Sequence, residues 1–363
     1  MLTTLLVIAI LVFLIVVHEL GHFIAAKIFR VKVEEFGLGY PPRAFLIDTI
    51  GETEYTLNWV PFGGFVRLLG ENADAPRQKG SFTAAPRYAQ AIILVAGVCM
   101  NFLAGWLLFT GALYAGIPHS VASGGTHSNV HLLVSGVLPS SPADESGIAT
   151  GDEILSLRDT ESNEEALLSP ESVISFVEVR GGKPIEVRAL RGTEEFSSVV
   201  YPAHSVIADS ANRPALGIGL AMVANDPLPF FEAFTSALPL AYDKLFVVFY
   251  GLADIVGNAV MGHSALEGVV GPVGLVGVVG EASKHGIGSV FALAGFISIN
   301  LVIVNLLPIP ALDGGRLVLV GIEAVIRRNA PRFAVALFNG VGIAAIVLLM
   351  VIVTYHDIVR LLL

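Results

Sequence analysis

Four long apolar segments constrain the fold of this chain more than any other feature of its sequence. They cover about residues 2–29, 89–117, 290–307 and 333–355. A helix needs about 20 apolar residues to cross the roughly 30 Å of hydrocarbon in a bilayer. Hydrophobic residues make up 54% of the 363 positions and charged residues only 14%, which excludes an ordinary soluble globular protein. We therefore predict a mainly α-helical polytopic membrane protein with four transmembrane helices.

The distribution of charged residues predicts which side of the membrane each connection faces. Eight basic residues lie from Lys27, at the end of the first apolar segment, to Arg87, before the second, and four lie between the last two, whereas residues 118–226 carry an excess of Asp and Glu. Because short connections rich in Lys and Arg tend to stay in the cytoplasm, we expect both basic connections there and the acidic stretch outside. A signal peptide has a basic region before its apolar segment and a small-residue cleavage site after it. The first segment has neither, so we expect it to be retained.

Two irregular regions interrupt the helical pattern. Turn residues and strand-like runs in residues 33–70 predict a small membrane-associated β-hairpin or sheet. Residues 121–222 are less hydrophobic and suffice for one small inserted α+β domain, with strands expected at 132–137, 153–157, 174–180 and 185–189. The predicted domains are therefore residues 1–120, 121–222 and 223–363. Within the last, charges interrupt residues 229–256, which favours an amphipathic helix on or against the membrane over the alternatives of a re-entrant or spanning segment.

The first apolar segment ends in the motif His18-Glu19-Leu20-Gly21-His22. Positions i and i+4 share one face of a helix, so both imidazoles can bind one zinc ion while Glu19 acts as general base. Zinc activates water, and Glu19 can take its proton during attack on a peptide carbonyl. The alternative is a pair of histidines that bind only backbone or neighbouring helices. Ionisable groups at membrane depth are costly and usually functional, which favours the metal site.

Zinc held by two histidines needs a third protein ligand, and Asp313 is the best candidate. It lies in "NLLPIPALDGGR", residues 305–316, where Pro308 and Pro310 break the third apolar segment. Non-helical backbone at membrane depth is tolerated only inside protein or beside a watery cavity. The alternative role for Asp313 is a helix cap at the cytoplasmic end of a span. The single cysteine, Cys99, excludes a thiolate zinc cluster and an internal disulfide.

These motifs resemble those of the site-2 protease family of intramembrane zinc metalloproteases, in the bacterial branch that includes the regulator of sigma-E protease. The matching stretches are "HELGH", "EYTLNWVPFGGFVRLLGE", "GPVG" and "NLLPIPALDGG". The resemblance implies that His18, His22 and Asp313 bind Zn²⁺, that Glu19 is the general base and that Asn305 hydrogen-bonds the substrate backbone. It also implies a bacterial inner-membrane protein whose active site lies toward the cytoplasm.

A further family segment lies in the second span, in "AGVCMNF", residues 96–102. Gly97 and Asn101 match the family, whereas Val98 stands where a proline is common, which puts a local helix kink in doubt. Asn101 is a candidate substrate-binding residue. The competing interpretation of Gly97 and Asn101 is small-residue packing and an interhelical hydrogen bond.

The β region supplies the remaining candidate substrate-binding residues, Gly63, Gly64 and Phe65. A protease that acts on a transmembrane helix needs an extended substrate segment. If residues 55–60 or 64–69 present a free strand edge near the zinc, an unwound substrate can add to it as a β-strand. The competing interpretation is a hairpin that only seals the cytoplasmic mouth.

The inserted domain contains "VSGVLPSSPADESGIATGDEILSL", residues 134–157, which resembles a PDZ domain of bacterial membrane proteases. We find one such domain, and the charge distribution places it outside the cytoplasm. A PDZ fold binds extended peptides or excludes them by bulk. We favour a size filter that admits only substrates whose outer portions have been trimmed.

The sequence therefore predicts an intramembrane zinc endopeptidase. It would make the second cut in regulated intramembrane proteolysis of single-pass membrane proteins, such as anti-sigma factors, or cut remnant signal peptides. Expected partners are these substrates and membrane lipids, whereas the net charge of −10 argues against nucleic acid; no oligomeric state is predicted. One alternative is a catalytically silent PDZ-bearing membrane scaffold, which has little reason to keep Glu19. Another is a transporter, against which stands the absence of inverted repeats.

Overall fold

The chain forms two compact units, one of Met1–Ala115 with Pro229–Leu363 and one of Gly116–Leu228. The predicted limits of the inserted domain, residues 121 and 222, both fall within the second unit, and residue 121 lies outside the described residues. The computed structural model describes residues 2–71, 78–117, 119–120, 130–192, 194–204, 206, 213–224, 226–261, 270–328 and 330–362.

The helices of these residues include the four predicted spans. The α-helices are α1 (Leu2–Ile28), α2 (Arg87–Ala115), α3 (Pro142–Glu145), α4 (Pro170–Glu178), α5 (Phe230–Met261), α6 (Pro272–Lys284), α7 (Ile287–Leu306), α8 (Asp313–Ile326) and α9 (Arg332–Leu362). Helices α1, α2 and α7 and residues Phe333–Val359 of α9 are long and apolar enough to cross a membrane. The prediction of four transmembrane helices is thereby confirmed at the level of length and composition.

The strands form one sheet in each unit. They are β1 (Val33–Ile50), β2 (Thr53–Leu68), β3 (His119–Ser120), β4 (Val130–Val137), β5 (Glu153–Asp159), β6 (Ile185–Arg191), β7 (Glu194–Val200) and β8 (Ile218–Ala224). Strands β1 and β2 make up the first sheet, and the second has the order β3-β8-β4-β5-β6-β7. The small β region predicted over residues 33–70 is confirmed.

Each long strand of the first sheet supplies two rows of pairing. Residues 33–38 of β1 pair with 64–68 of β2 on one side and with 54–57 on the other, and residues 43–50 pair with 53–58. The rows therefore lie in the order 64–68, 33–38, 53–58 and 43–50. Of the two segments predicted as candidate free edges, 55–60 is largely interior, whereas 64–68 is paired on one side only among the described residues.

Helix α2 is the structural centre of the first unit, because it packs against α1, α5, α7 and α8. Small residues allow these close approaches. A Cβ atom added to Gly21 of α1 would overlap the carbonyl group of Ala96 in α2. On the other side of α2, Gly105 lies against Ile299 of α7. An apolar cluster joins α1, the first sheet, α2 and α8 through residues that include Ala26, Val66, Leu68, Ile93 and Val320.

The segment predicted as an amphipathic helix over residues 229–256 forms α5, which extends to Met261. Its buried stripe consists of Ala233, Ala237 and Ala241, each fully shielded from solvent. Helix α5 packs against α2 and α7, and the Trp106 indole N–H donates a 2.9 Å hydrogen bond to the Phe234 carbonyl oxygen. The aromatic side chains on its opposite side are exposed. Its alanine stripe thus packs against protein, while its position relative to the membrane remains a prediction.

The second unit contains its own apolar core, shared by strands β4–β8 and helices α3 and α4. The prediction of a strand over residues 174–180 is wrong, because α4 covers most of that segment. The Ser169 hydroxyl accepts a hydrogen bond from the Ser172 N–H and Pro170 occupies the first turn, so the helix start is well capped. Val173, Phe176 and Val177 then follow helical spacing and lie buried in the core.

A buried ion pair joins the turn after β5 to the end of α4. The Arg180 Nε atom donates a 2.8 Å hydrogen bond to Asp159 Oδ2. Backbone N–H groups of Ser162 and Glu161, together with this guanidinium, hold the pKa of the Asp159 carboxyl below its ordinary value. Its contribution to stability is therefore present above the ordinary aspartate pKa and is lost as the pH falls below it.

Candidate metal centre

Helix α1 and the start of α8 bring three potential metal ligands together. His18 and His22 are four residues apart on one face of α1, and their Nε2 atoms lie 3.1 Å from each other. Asp313, the first residue of α8, places Oδ2 3.0 Å from His18 Nε2 and 3.3 Å from His22 Nε2. The structure thus brings together the three residues predicted to bind zinc.

The position of Asp313 follows from the broken backbone before it. Helix α7 ends at Leu306, and after Pro308 and Pro310 the chain turns into α8, packed closely against its own backbone. A Cβ atom on Gly314 would overlap the carbonyls of Leu306 and Leu307, and one on Gly315 would overlap the carbonyl of Ile309. The two glycines therefore allow the loop to fold against the beginning of α8, which fixes the Asp313 carboxylate beside α1.

The donor set fits a zinc ion. Oδ2 of Asp313 is buried and has no hydrogen-bond partner, so a buried acceptor is left for a cation to satisfy. Atoms bound about 2.1 Å from a tetrahedral zinc lie about 3.4 Å from one another, close to the 3.0–3.3 Å separations found here. Two imidazoles and one carboxylate are a ligand set typical of catalytic zinc, which keeps a fourth position open.

Helix α2 orients both imidazoles from behind. The Nδ1 atom of His22 lies 2.8 Å from the carbonyl oxygen of Ile93, so Nδ1 carries the proton and Nε2 is left as a ligand. Gly97 faces the metal side of the rings. A Cβ atom there would overlap His22 Nε2 and lie 2.8 Å from Cε1 of His18. The conformation of both histidines therefore depends on a position without a side chain.

Asn101 lies on the opposite edge of His18 from Asp313. Its amide nitrogen is 3.1 Å from Nδ1 of His18, it is fully buried, and its Oδ1 has no hydrogen-bond partner. If the amide is turned by 180°, Oδ1 accepts a hydrogen bond from Nδ1–H and leaves Nε2 free to bind metal. Asn101 thus has the environment of a residue that orients a metal ligand, and its predicted contact with substrate remains a prediction.

The Glu19 side chain is half-buried and lies toward the first sheet. A Cβ atom on Gly64, at the start of the one-sided row 64–68, would lie 3.6 Å from Cγ of Glu19. The predicted general base therefore lies next to His18 in sequence and beside row 64–68, which is paired on one side only among the described residues. This is where a base must lie to reach a peptide held along that edge.

The other predicted substrate-binding residues are not in contact with the three ligands in any described interaction. Gly63 has a φ of +108° and packs against the Tyr40 ring, and Phe65 stacks on the same ring with centroids 6.4 Å apart. Asn305 lies half-buried in the last turn of α7. These residues shape the edge and its surroundings, and their contact with substrate remains a prediction.

Sequence reasoning missed a polar connection behind the centre. Arg316, three residues after Asp313, forms an ion pair with Glu71 at the end of the first sheet. Both residues lie within or directly after family-like stretches, "RLLGE" and "LDGGR". The sequence shows that the two stretches end in residues of opposite charge. It does not show that these two residues form a pair.

Comparisons with known proteins show the family to which the chain belongs. A protein from Clostridium perfringens named as a zinc metalloprotease is 32% identical over 351 residues, which cover 95% of each chain. The chloroplastic membrane metalloprotease ARASP of Arabidopsis thaliana is 28% identical over 94% of this chain and 74% of its own length. Among solved structures, the PDZ domain of a SdrC-like protein from Listeria monocytogenes matches at 19% identity over 28% of this chain and 93% of that one, with a TM-score of 0.21. This last likeness is too weak to establish the fold of the second unit. The profile of peptidase family M50 matches residues 6–349, and the chain belongs to this family, the site-2 proteases.

Proposed function

We propose that this multi-pass zinc metalloprotease cleaves single-pass membrane proteins within their apolar segments. The observation that carries the proposal is the convergence of His18, His22 and Asp313 beside Glu19, at the end of a helix of transmembrane length. Its substrates are anti-sigma-factor-like proteins after a first cut, or remnant signal peptides. Membrane lipids surround it, and nucleic acid has no role.

The chemistry divides between the metal and the protein. His18, His22 and Asp313 hold zinc, which supplies a Lewis acid that activates water and polarises the scissile carbonyl. The Glu19 carboxylate accepts the proton of the attacking water and then donates it to the leaving amine. Asn305 donates a hydrogen bond to the substrate backbone. Asn101 and the Ile93 carbonyl keep the two imidazoles oriented.

Strand addition to residues 64–68 supplies the extended substrate that this chemistry requires. The Leu68 N–H points away from β1, because it donates a 3.0 Å hydrogen bond to the Glu71 carboxylate. Successive residues of a strand alternate in direction, so the N–H groups of Val66 and Gly64 point outward as well. An unwound substrate that pairs with them regains backbone hydrogen bonds beside Glu19.

Removing one outward amide should weaken cleavage. We expect Val66→Pro to lower kcat/KM about tenfold, because a tenfold change corresponds to the free energy of roughly one hydrogen bond. Zinc should stay bound. Proline is tolerated on an edge strand where its missing N–H faces outward, but the Val66 side chain is buried in an apolar cluster, so the melting temperature should fall and rates are compared where the variant is folded. Initial rates with a single-pass substrate, zinc content and melting temperature check this expectation.

The control for proline on an outer row is Ile47→Pro, on the opposite side of the same sheet. Ile47 is 60% exposed and lies at a register shift between Leu46 and Asp48. The Ile47→Pro variant should keep kcat/KM within about twofold of the wild-type value. Equal activity of wild type and the zinc-loaded Val66→Pro variant would eliminate strand addition at this edge.

Metal removal tests the proposed activity as a whole. We expect purified enzyme in lipid vesicles to cut a single-pass protein lacking its outer domain within the apolar segment, as located by mass spectrometry. Chelation should abolish the cut, and one equivalent of zinc should restore it. Without the metal, His18, His22 and Asp313 provide no Lewis acid to polarise the scissile carbonyl. Cleavage that persists in zinc-free protein, or that falls outside the apolar segment, would contradict the proposal.

The membrane topology completes the proposal. The basic connections that contain the first sheet and α8 face the cytoplasm. The second unit lies on the extracytoplasmic side of the bacterial inner membrane. There it acts as a PDZ-like size filter for trimmed substrates. The clustering of basic residues in the two connections supports this orientation.

A further inference from the structure

An ion pair links the free strand edge to the helix that begins with Asp313. The Arg316 Nη1 atom donates a hydrogen bond to Oε1 of Glu71. The other carboxylate oxygen of Glu71, Oε2, accepts the 3.0 Å hydrogen bond from the Leu68 N–H. One carboxylate therefore holds both the end of row 64–68 and the first turn of α8.

Partial burial and a nearby apolar cluster support this connection. The Glu71 side chain is 19% exposed and that of Arg316 32% exposed, so water only partly screens the pair. Next to it, Leu68 and Val66 of the strand pack in one apolar cluster with Val320 of α8. Charge-assisted hydrogen bonds are short and directional. The ion pair and the shared apolar cluster thus connect the end of the strand to α8.

We propose that Glu71 and Arg316 are positioning residues, which fix the distance between the substrate-pairing edge and the zinc-holding carboxylate of Asp313. The inference rests on the proposed function, because the edge matters only if substrate adds there. It goes beyond that function by assigning a role to two residues that do not touch zinc or substrate. Small displacements of reacting groups are costly: a shift of about 1 Å can lower a rate about 100-fold.

The chain offers a matched control on the same helix. Arg87 at the start of α2 pairs with Glu323 of α8 at 2.6 Å, with side chains 26% and 16% exposed. This pair also anchors α8, but it joins that helix to the start of α2. If the Glu71–Arg316 pair acted only through stability, loss of either pair would have similar effects.

The test compares Glu71→Ala, Arg316→Ala, the double variant and Arg87→Ala, each purified with zinc. We expect both single variants at the Glu71–Arg316 pair to lower kcat about tenfold while KM stays within about threefold. They should also release zinc to a competing chelator about tenfold faster, since Asp313 is less firmly held. Because the two residues act as one unit, the double variant should lose no more than either single variant. Arg87→Ala should lower the melting temperature while kcat and zinc release remain as in wild type.

Several results would overturn the inference. Wild-type rates of cleavage and zinc release in Glu71→Ala or Arg316→Ala would remove the positioning role. Additive losses in the double variant, or the same losses in Arg87→Ala, would reduce it to general stability. If wild type itself cuts no substrate, the proposed function fails, and the zinc-release comparison still decides whether the pair holds Asp313 in place.

Discussion

Replacing Glu19 by glutamine is expected to lower kcat by about 10²- to 10⁴-fold, the usual contribution of a general base. Glutamine keeps the shape and polarity of the side chain, but its amide cannot accept the proton of the attacking water. Zinc should stay bound, because the three converging donor atoms belong to His18, His22 and Asp313 and not to Glu19. The measurements are turnover of a single-pass substrate in vesicles and zinc content by elemental analysis.

Glu34→Gln is the matched control, since Glu34 is an exposed carboxylate on β1. It should retain full activity. A zinc-loaded Glu19→Gln enzyme with wild-type turnover would exclude Glu19 as the base. Equal and negligible turnover of wild type and Glu19→Gln would instead favour the catalytically silent scaffold.

The second large effect is expected from one methyl group added beside the two imidazoles. In Gly97→Ala, the new Cβ would overlap Nε2 of His22 and approach Cε1 of both imidazoles, at 2.7 Å in His22 and 2.8 Å in His18. The rings are the metal ligands themselves, and the hydrogen bond of His22 Nδ1 to the Ile93 carbonyl opposes a swing of its imidazole away from the new methyl group. We expect zinc affinity to fall by about 100-fold or more, with cleavage lost in parallel. Competition with a chelator of known affinity measures the change.

Gly105→Ala is the control on the same helix, two turns further along. The nearest atom to its new Cβ is Cδ1 of Ile299 at 2.9 Å, which is the end of a flexible side chain. Some loss of thermal stability is expected, but zinc affinity should match wild type. If Gly97→Ala binds zinc as tightly as Gly105→Ala does, the close approach of α2 to the histidines has no part in metal binding.

The parts of the site that could be predicted are those encoded by local spacing. His18 and His22 share a helix face because they are four residues apart, and a helix is imposed on that segment by its apolar length. Asp313 could be predicted because two prolines and two glycines mark a broken span, and because the stretch resembles a family motif. In both cases a few neighbouring residues carry the information.

The parts that could not be predicted depend on pairing between distant residues. Which row of the first sheet is free depends on how β1 and β2 bend over each other, and alternation of side chains does not specify this. Likewise, Glu71 and Arg316 lie 245 positions apart, and an ion pair leaves no periodic trace in a sequence. The strand expected over residues 174–180 failed for a different reason: its apolar residues fit both periods, and the Ser169-Pro170 cap decided for a helix.

The one-sided row 64–68 has a consequence for the resting enzyme. Backbone N–H and C=O groups left without partners in hydrocarbon cost several kcal/mol each, so they are not tolerated facing lipid. Among the described residues the outward amides of Gly64 and Val66 have no partner, so we expect them to bind water in the resting enzyme. Water bound there would lie beside Glu19, and an arriving substrate strand would replace it at the amides.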